Sequence, residues 1–182
     1  MTDVTAPTLH RRGNASGPKV PAVAATQPDP RLVTFVELLF FAYRDFTGEA
    51  DAVLAELGFG RAHHRVLHFV NRNPGLRVAD LLGILKITKQ SLARVLKQLV
   101  DQGYIVQAAG EQDRRERRLA LTQKGMELAG RLVALQAARI AEALKAAGVD
   151  ADISTRQFLF AMIGRSERDQ VAALIRDPAL AT

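Results

Sequence analysis

Between Leu32 and Leu57 the residues Leu32, Val36, Leu39, Tyr43, Phe46, Ala50, Val53 and Leu57 succeed one another at alternating steps of four and three. Such steps average the turn of an α-helix, so they predict one long helix over about 31–57 with a continuous apolar stripe. Phe35, Leu38, Phe41 and Ala42 add a second stripe, which makes the helix apolar over more than one face. A short one-sided core does not need that much apolar surface, and the excess predicts packing against a partner subunit.

Beyond this helix the chain is punctuated by turn residues. Gly58 and Gly60 end it, and a shorter helix over 61–73 is expected to bury Ala62, Val66, Phe69 and Val70 before the Asn73-Pro74-Gly75 turn. Leu76-Arg77 reads as a very short strand, Val78 to Leu85 as a helix of two turns, and Thr88 as the N-cap of a helix reaching about Gln102. In that last helix Leu92, Val95, Leu96 and Leu99 share one face, while Lys89, Gln90, Ser91, Arg94, Lys97 and Gln98 share the other. Gly103 closes it. Tyr104-Ile105-Val106 and Arg118-Leu119-Ala120-Leu121 read as two strands of a hairpin around a charged loop over 110–117. Thr122 caps a helix to about Ala147, and a final helix spans about 154–176 with Phe158, Leu159, Met162, Ile163, Val171, Leu174 and Ile175 on a broad apolar face. Five of the seven prolines fall in residues 1–30 among few bulky apolar groups, which predicts a disordered tail there.

Charge is distributed unevenly. Residues 61–124 hold thirteen Lys and Arg against five acids, a local excess of eight positive charges in a chain whose total is +6. A polyanion is attracted by such an excess. The chain of 182 residues has no cysteine, which excludes a disulfide framework, a thiolate metal site and a thiol redox sensor. No run approaches the roughly 18 consecutive apolar residues of a membrane span, so a soluble, cytoplasmic protein without a membrane partner is expected.

Two short helices joined by a tight turn, the second capped and polar on its outer face, and then a basic hairpin, make a winged helix-turn-helix. The expected fold is mainly α with a small β-hairpin wing: a winged helix-turn-helix at about 61–124, flanked by dimerisation helices at about 31–57 and 122–176 within one domain over 31–182. A helix fits the major groove of B-DNA, where residues near its N-terminus reach base edges. This nominates Lys89, Gln90, Ser91 and Arg94, with Gln able to pair with adenine and Lys or Arg with guanine. Lys97 on the same face is a further DNA-facing candidate. The hydroxyls of Thr88 and Ser91 suit phosphate. The wing nominates Arg114, Arg115 and Arg117, guanidinium groups suited to a narrow minor groove.

The segments Pro74-Gly75-Leu76, Val78-Ala79-Asp80-Leu81-Leu82, Ile87-Thr88-Lys89-Gln90-Ser91, Gly103-Tyr104-Ile105-Val106, Asp113-Arg114-Arg115 and Leu121-Thr122-Gln123-Lys124-Gly125 together resemble the MarR family of bacterial transcription regulators. The resemblance extends over about 31–176, and the Phe-rich first helix with Arg61-Ala62-His63-His64-Arg65 is similar to PetP-type members. It implies a homodimer with intertwined N- and C-terminal helices and two winged lobes on a pseudo-palindromic double-stranded DNA operator. It also implies that Asp113 orients the wing tip and Arg115 enters the minor groove. Two positions depart from the family pattern. Arg77 stands where a hydroxyl residue often caps the first helix of the motif, which leaves Arg77 to face a phosphate, and Ala93 replaces a hydroxyl residue on the recognition helix.

His64 and His68 stand one helical turn apart, a spacing metal sites use, but no Cys or nearby carboxylate joins them in that helix, so no metal and no cofactor are expected. Five of the ten aromatics lie in the first helix: Phe35, Phe40, Phe41, Tyr43 and Phe46. Core and dimer packing is the default reading of them. Relatives that bind small aromatic or phenolic effectors suggest the alternative, a candidate effector pocket formed by Phe40, Tyr43, His64 and His68. No local constellation supports an enzyme. The expected function is a ligand-responsive repressor, against the alternatives of an activator or a winged-helix protein-interaction module without ligand sensing.

Overall fold

The computed structural model describes residues 27–110 and 116–176. The chain divides into two units, Met1–Leu38 and Leu39–Thr182. In the described part of the first, Asp29 sits before the helix α1 (Pro30–Ala55). Its carboxylate accepts from the Arg31 amide at 2.9 Å, and its carbonyl accepts from the Leu32 and Val33 amides at 2.8 and 3.2 Å. Asp29 is therefore the N-cap, with Pro30 at the first helical position where its missing N–H costs nothing. Of the tail expected over residues 1–30, residues 1–26 lie outside the described residues.

In the second unit α2 (Arg61–Arg72) is central and touches α3 (Val78–Leu85), α4 (Lys89–Asp101), α5 (Gln123–Ala147) and the strand β3 (Arg117–Leu121). Three antiparallel strands lie in the order β1 (Leu76–Arg77), β3, β2 (Ile105–Ala109). Leu76 pairs with Leu119, and Gln107 pairs with Leu119 from the other side, so β3 carries the sheet. The core gathers Leu54, Val66, Leu67, Val70, Leu81, Leu92, Leu99, Ile105, Leu119 and Leu132, all essentially inaccessible to solvent. Truncating one of these, Leu99 for example, to Ala is expected to cost about 2–5 kcal/mol.

Local chemistry sets the joints. Gly103, at φ +74°, ends α4 in a Schellman arrangement, the Tyr104 amide donating to the Leu99 carbonyl at 2.8 Å and the Gly103 amide to Val100 at 2.9 Å. Thr122 caps α5 by accepting from the Gly125 amide at 3.1 Å while its hydroxyl donates to the Gly103 carbonyl at 2.7 Å. One side chain therefore ties the exit of α4 to the entry of α5.

The C-terminal segment differs from the single helix expected over 154–176. It forms α6 (Ala151–Met162), a 3-10 turn (Arg165–Glu167) and α7 (Arg168–Ile175). Ile163 and Gly164 adopt extended backbone, and Arg168 donates to the freed carbonyls of Ala161 and Ile163 at 2.6 and 3.0 Å. The chain turns back, and the residues flanking α7 meet the winged lobe through Lys86–Glu167 at 3.1 Å and Arg176–Asn73 at 3.2 Å. Among the described residues no helix is long and apolar enough to cross a membrane.

Candidate nucleic-acid interface

Thr88 enters α4 in extended backbone, and its hydroxyl oxygen accepts from the Ser91 amide at 3.1 Å. The Thr88 and Ser91 hydroxyls also bond to each other at 2.9 Å. This cap starts the helix in register with its buried face of Leu92, Val95, Leu96 and Leu99, and so turns Lys89, Gln90, Ser91, Arg94 and Lys97 outward. All five are exposed. Lys97 pairs with Asp101 one turn on. The turn before the helix is made by Lys86, at φ +51°, and by half-buried Ile87.

A groove of about 790 Å³ runs between α4 and the base of the wing, with Ala93, Leu96, Lys97, Gln107 and Arg117 in its walls. Arg117 is exposed. Asp113, Arg114 and Arg115, the tip residues singled out from the sequence, lie outside the described residues.

Arg77 precedes α3 in extended backbone and makes no side-chain cap. Its guanidinium is held by both Asp80 carboxylate oxygens, at 2.7 and 2.8 Å, and by Glu116 at 3.2 Å. Asp80 first, then Glu116, raises the Arg77 pKa above the ordinary arginine value, and Arg77 lowers that of Asp80. The phosphate-facing role expected for Arg77 therefore competes with two carboxylates that fasten α3 to the wing strand. Glu116, which also lies 3.6 Å from Arg118, was not singled out from the sequence.

The four residues grouped as an effector pocket lie on α1, for Phe40 and Tyr43, and on α2, for His64 and His68. Phe40 and Tyr43 are 71% and 55% exposed, with the Arg61 guanidinium 5.3 Å from the Tyr43 ring centre. His64 is buried, at 8%. His68 lines a cavity of about 500 Å³ whose other walls include Phe69, Arg72, Val133, Leu174 and Ile175, not Phe40 or Tyr43. Burial lowers the pKa of both histidines, with the His68 charge adding to the effect on His64 and the Arg72 charge to that on His68. Among the described residues no group of three or more His, Asp or Glu is placed to hold a metal ion.

Gln98 and His63 were missed as tertiary contacts. Gln98, which its spacing places on the polar face of α4, bonds to His63 at 2.9 Å and to the Gly58 carbonyl at 3.1 Å.

The model of the MarR family matches residues 57–116. Over 140 residues the chain is 46% identical to the HTH-type transcriptional regulator PetP of Rhodobacter capsulatus, covering 77% of this chain and 84% of that one. It superposes with a TM-score of 0.61 on a MarR family transcriptional regulator from Listeria monocytogenes solved with a 26mer DNA, at 21% identity over 74% of this chain and 89% of that one. A Mycobacterium tuberculosis MarR family protein in complex with p-aminosalicylic acid gives a TM-score of 0.50 at 27% identity, covering 68% and 93%.

Proposed function

The chain belongs to the MarR family of transcriptional regulators, and from that premise we propose that it binds a pseudo-palindromic DNA operator as a homodimer and acts as a ligand-responsive repressor. It is a regulator and not an enzyme. One observation carries the DNA reading: α4 is capped by Thr88 and presents Lys89, Gln90, Ser91 and Arg94 to solvent beside the wing. Gln90 and Arg94 have the chemistry to read base edges in the major groove. Because Thr88 takes up the Ser91 amide, the Lys89 and Gln90 amides are left at the helix N-terminus to receive a phosphate. Arg114, Arg115 and Arg117 of the wing reach the adjacent minor groove, with Asp113 orienting the tip.

Unpartnered apolar surface supports dimerisation. α5 buries only Gly125, Leu128, Ala129 and Leu132, and Val133 and Ile140 further along are exposed. Phe40, Phe41, Leu159 and Met162 are exposed too, large apolar side chains of the kind that mark an interaction surface. A second copy covering these helices sets the span between the two lobes. The cavity beside His68 supports ligand response: its size suits a small molecule, and His68 and Arg72 stand among apolar walls suited to an aromatic or phenolic effector. An occupant there wedges α2 against α5 and α7 and changes the lobe spacing.

Selection of duplexes from a random library by the purified protein tests the reading. A consensus of two half-sites about one helical turn, roughly 34–36 Å, apart is expected. Failure to enrich any duplex at low ionic strength overturns it.

A further inference from the structure

The α1–α2 connector is wired to both elements that would read DNA. Gln98, two turns beyond Gln90 on α4, is half-buried. The Gly60 amide donates to His63 Nδ1 at 3.1 Å, so the imidazole carries its proton on Nε2 and donates it to Gln98 Oε1 at 2.9 Å. Gln98 Nε2 then donates to the Gly58 carbonyl at 3.1 Å. A flipped Gln98 amide would set donor against donor at His63 and acceptor against acceptor at Gly58, so each polar atom has one role. The His63 ring stacks on Phe59, centres 4.7 Å apart at 15°. Phe59, 6% exposed, meets Tyr104 edge-on at 5.2 Å, and the Tyr104 carbonyl accepts from the Thr122 amide at 3.1 Å. The line of contacts runs from the connector to α4 by way of Gln98, and to the wing base by way of Phe59.

We infer that Gln98 is a positioning residue for operator recognition: with His63 it fixes the tilt of α4 against the connector, and so the angle at which Lys89, Gln90 and Arg94 meet the groove. The inference rests on the DNA-binding reading above. Leverage makes the tie consequential. Gln90 lies about 12 Å along the helix axis from Gln98, so a tilt of about 5° at Gln98 displaces Gln90 by about 1 Å. A displacement of that size breaks bidentate base pairing and leaves long-range attraction to phosphate intact.

The test uses two duplexes, the sequence selected from a random library by the wild-type protein and a scrambled duplex of the same length, each titrated over a range of salt. Gln98→Met keeps length and removes both hydrogen bonds, and His63→Phe keeps the stack on Phe59. Each is expected to lower affinity for the selected duplex about tenfold, the loss of two modest hydrogen bonds, with affinity for the scrambled duplex and the salt slope unchanged. The double variant is expected to lose less than the sum of the two single losses, because both cut the His63–Gln98 bond. Equal loss on both duplexes, a changed salt slope, or additive losses in the double variant overturns the inference, as does wild-type behaviour of Gln98→Met. Thermal melting establishes folding, and His63→Phe carries the test alone where Gln98→Met does not fold. A wild-type protein that selects no duplex defeats the DNA reading and the inference with it, whereas selection with an indifferent Gln98→Met defeats the inference alone.

Discussion

A Cβ placed on Gly125 would stand 2.1 Å from the carbonyl oxygen of Tyr104. The first turn of α5 is pressed against the backbone at the base of the wing, and glycine is the residue that permits it. Helix propensity alone says that Gly125→Ala should stabilise by about 1 kcal/mol. The contact is with main chain held by the Thr122 amide and hydroxyl, so it has no flexible end to give way. Gly125→Ala is therefore expected to destabilise by about 1–3 kcal/mol, the usual range for overpacking. A melting temperature equal to or above wild type would contradict it.

Base reading and phosphate binding separate by experiment. Gln90→Ala or Arg94→Ala is expected to cost about 1–3 kcal/mol on the selected duplex, and much less on a scrambled one. Arg115→Ala is expected to weaken binding to both and to reduce the salt slope by about one counterion equivalent. Isotherms on the two duplexes at several salt concentrations distinguish the patterns. A salt slope unaltered by Arg115→Ala would remove the wing from the mechanism.

Much of the motif was legible because local rules set it. Thr88 and Thr122 both form the caps their sequence contexts predict, α3 has the expected bounds Val78–Leu85, and Gly103 ends α4 with positive φ. What escaped was tertiary. Gln98 shares the polar side of α4 by spacing, yet its partners lie 35 and 40 residues away, where periodicity carries no information. The break at Ile163-Gly164 stands at the head of a polar stretch, Gly164 to Gln170, that separates the apolar residues of α6 from those of α7, and Arg168 caps the freed carbonyls there.

Buried His64 and half-buried His68 make stability depend on pH. Their folded-state pKa values lie below the ordinary 6.5, chiefly through burial. Between the folded value and 6.5 the unfolded chain binds more protons than the folded one, so stability rises with pH through that window. Stability from these groups is fully present above about pH 6.5 and is lost as pH falls from there toward the folded values. Denaturation midpoints measured from pH 7.5 to 5 are expected to fall in wild type and to fall less in His68→Gln. Parallel profiles for the two proteins would assign the acid sensitivity elsewhere.

α7 contributes no fully buried residue, Val171 and Leu174 being half-buried, and polar ties add to its hold on the winged lobe. Arg168 sets its direction through the Ala161 and Ile163 carbonyls, Glu167 meets Lys86 at the turn before α4, and the Arg72 guanidinium donates to the Ile175 carbonyl at 3.3 Å. Exposed ties of this kind contribute at most about 1 kcal/mol each, so α7 is expected to open without global unfolding. Arg168→Ala leaves the end of α6 uncapped and loosens the return of the chain. Amide hydrogen exchange over 168–175 is expected to quicken several-fold in that variant, with α4 and the core strands unchanged. Exchange that stays slow in α7, or that quickens equally in α4, would mean that α7 is held as part of the core and not by Arg168.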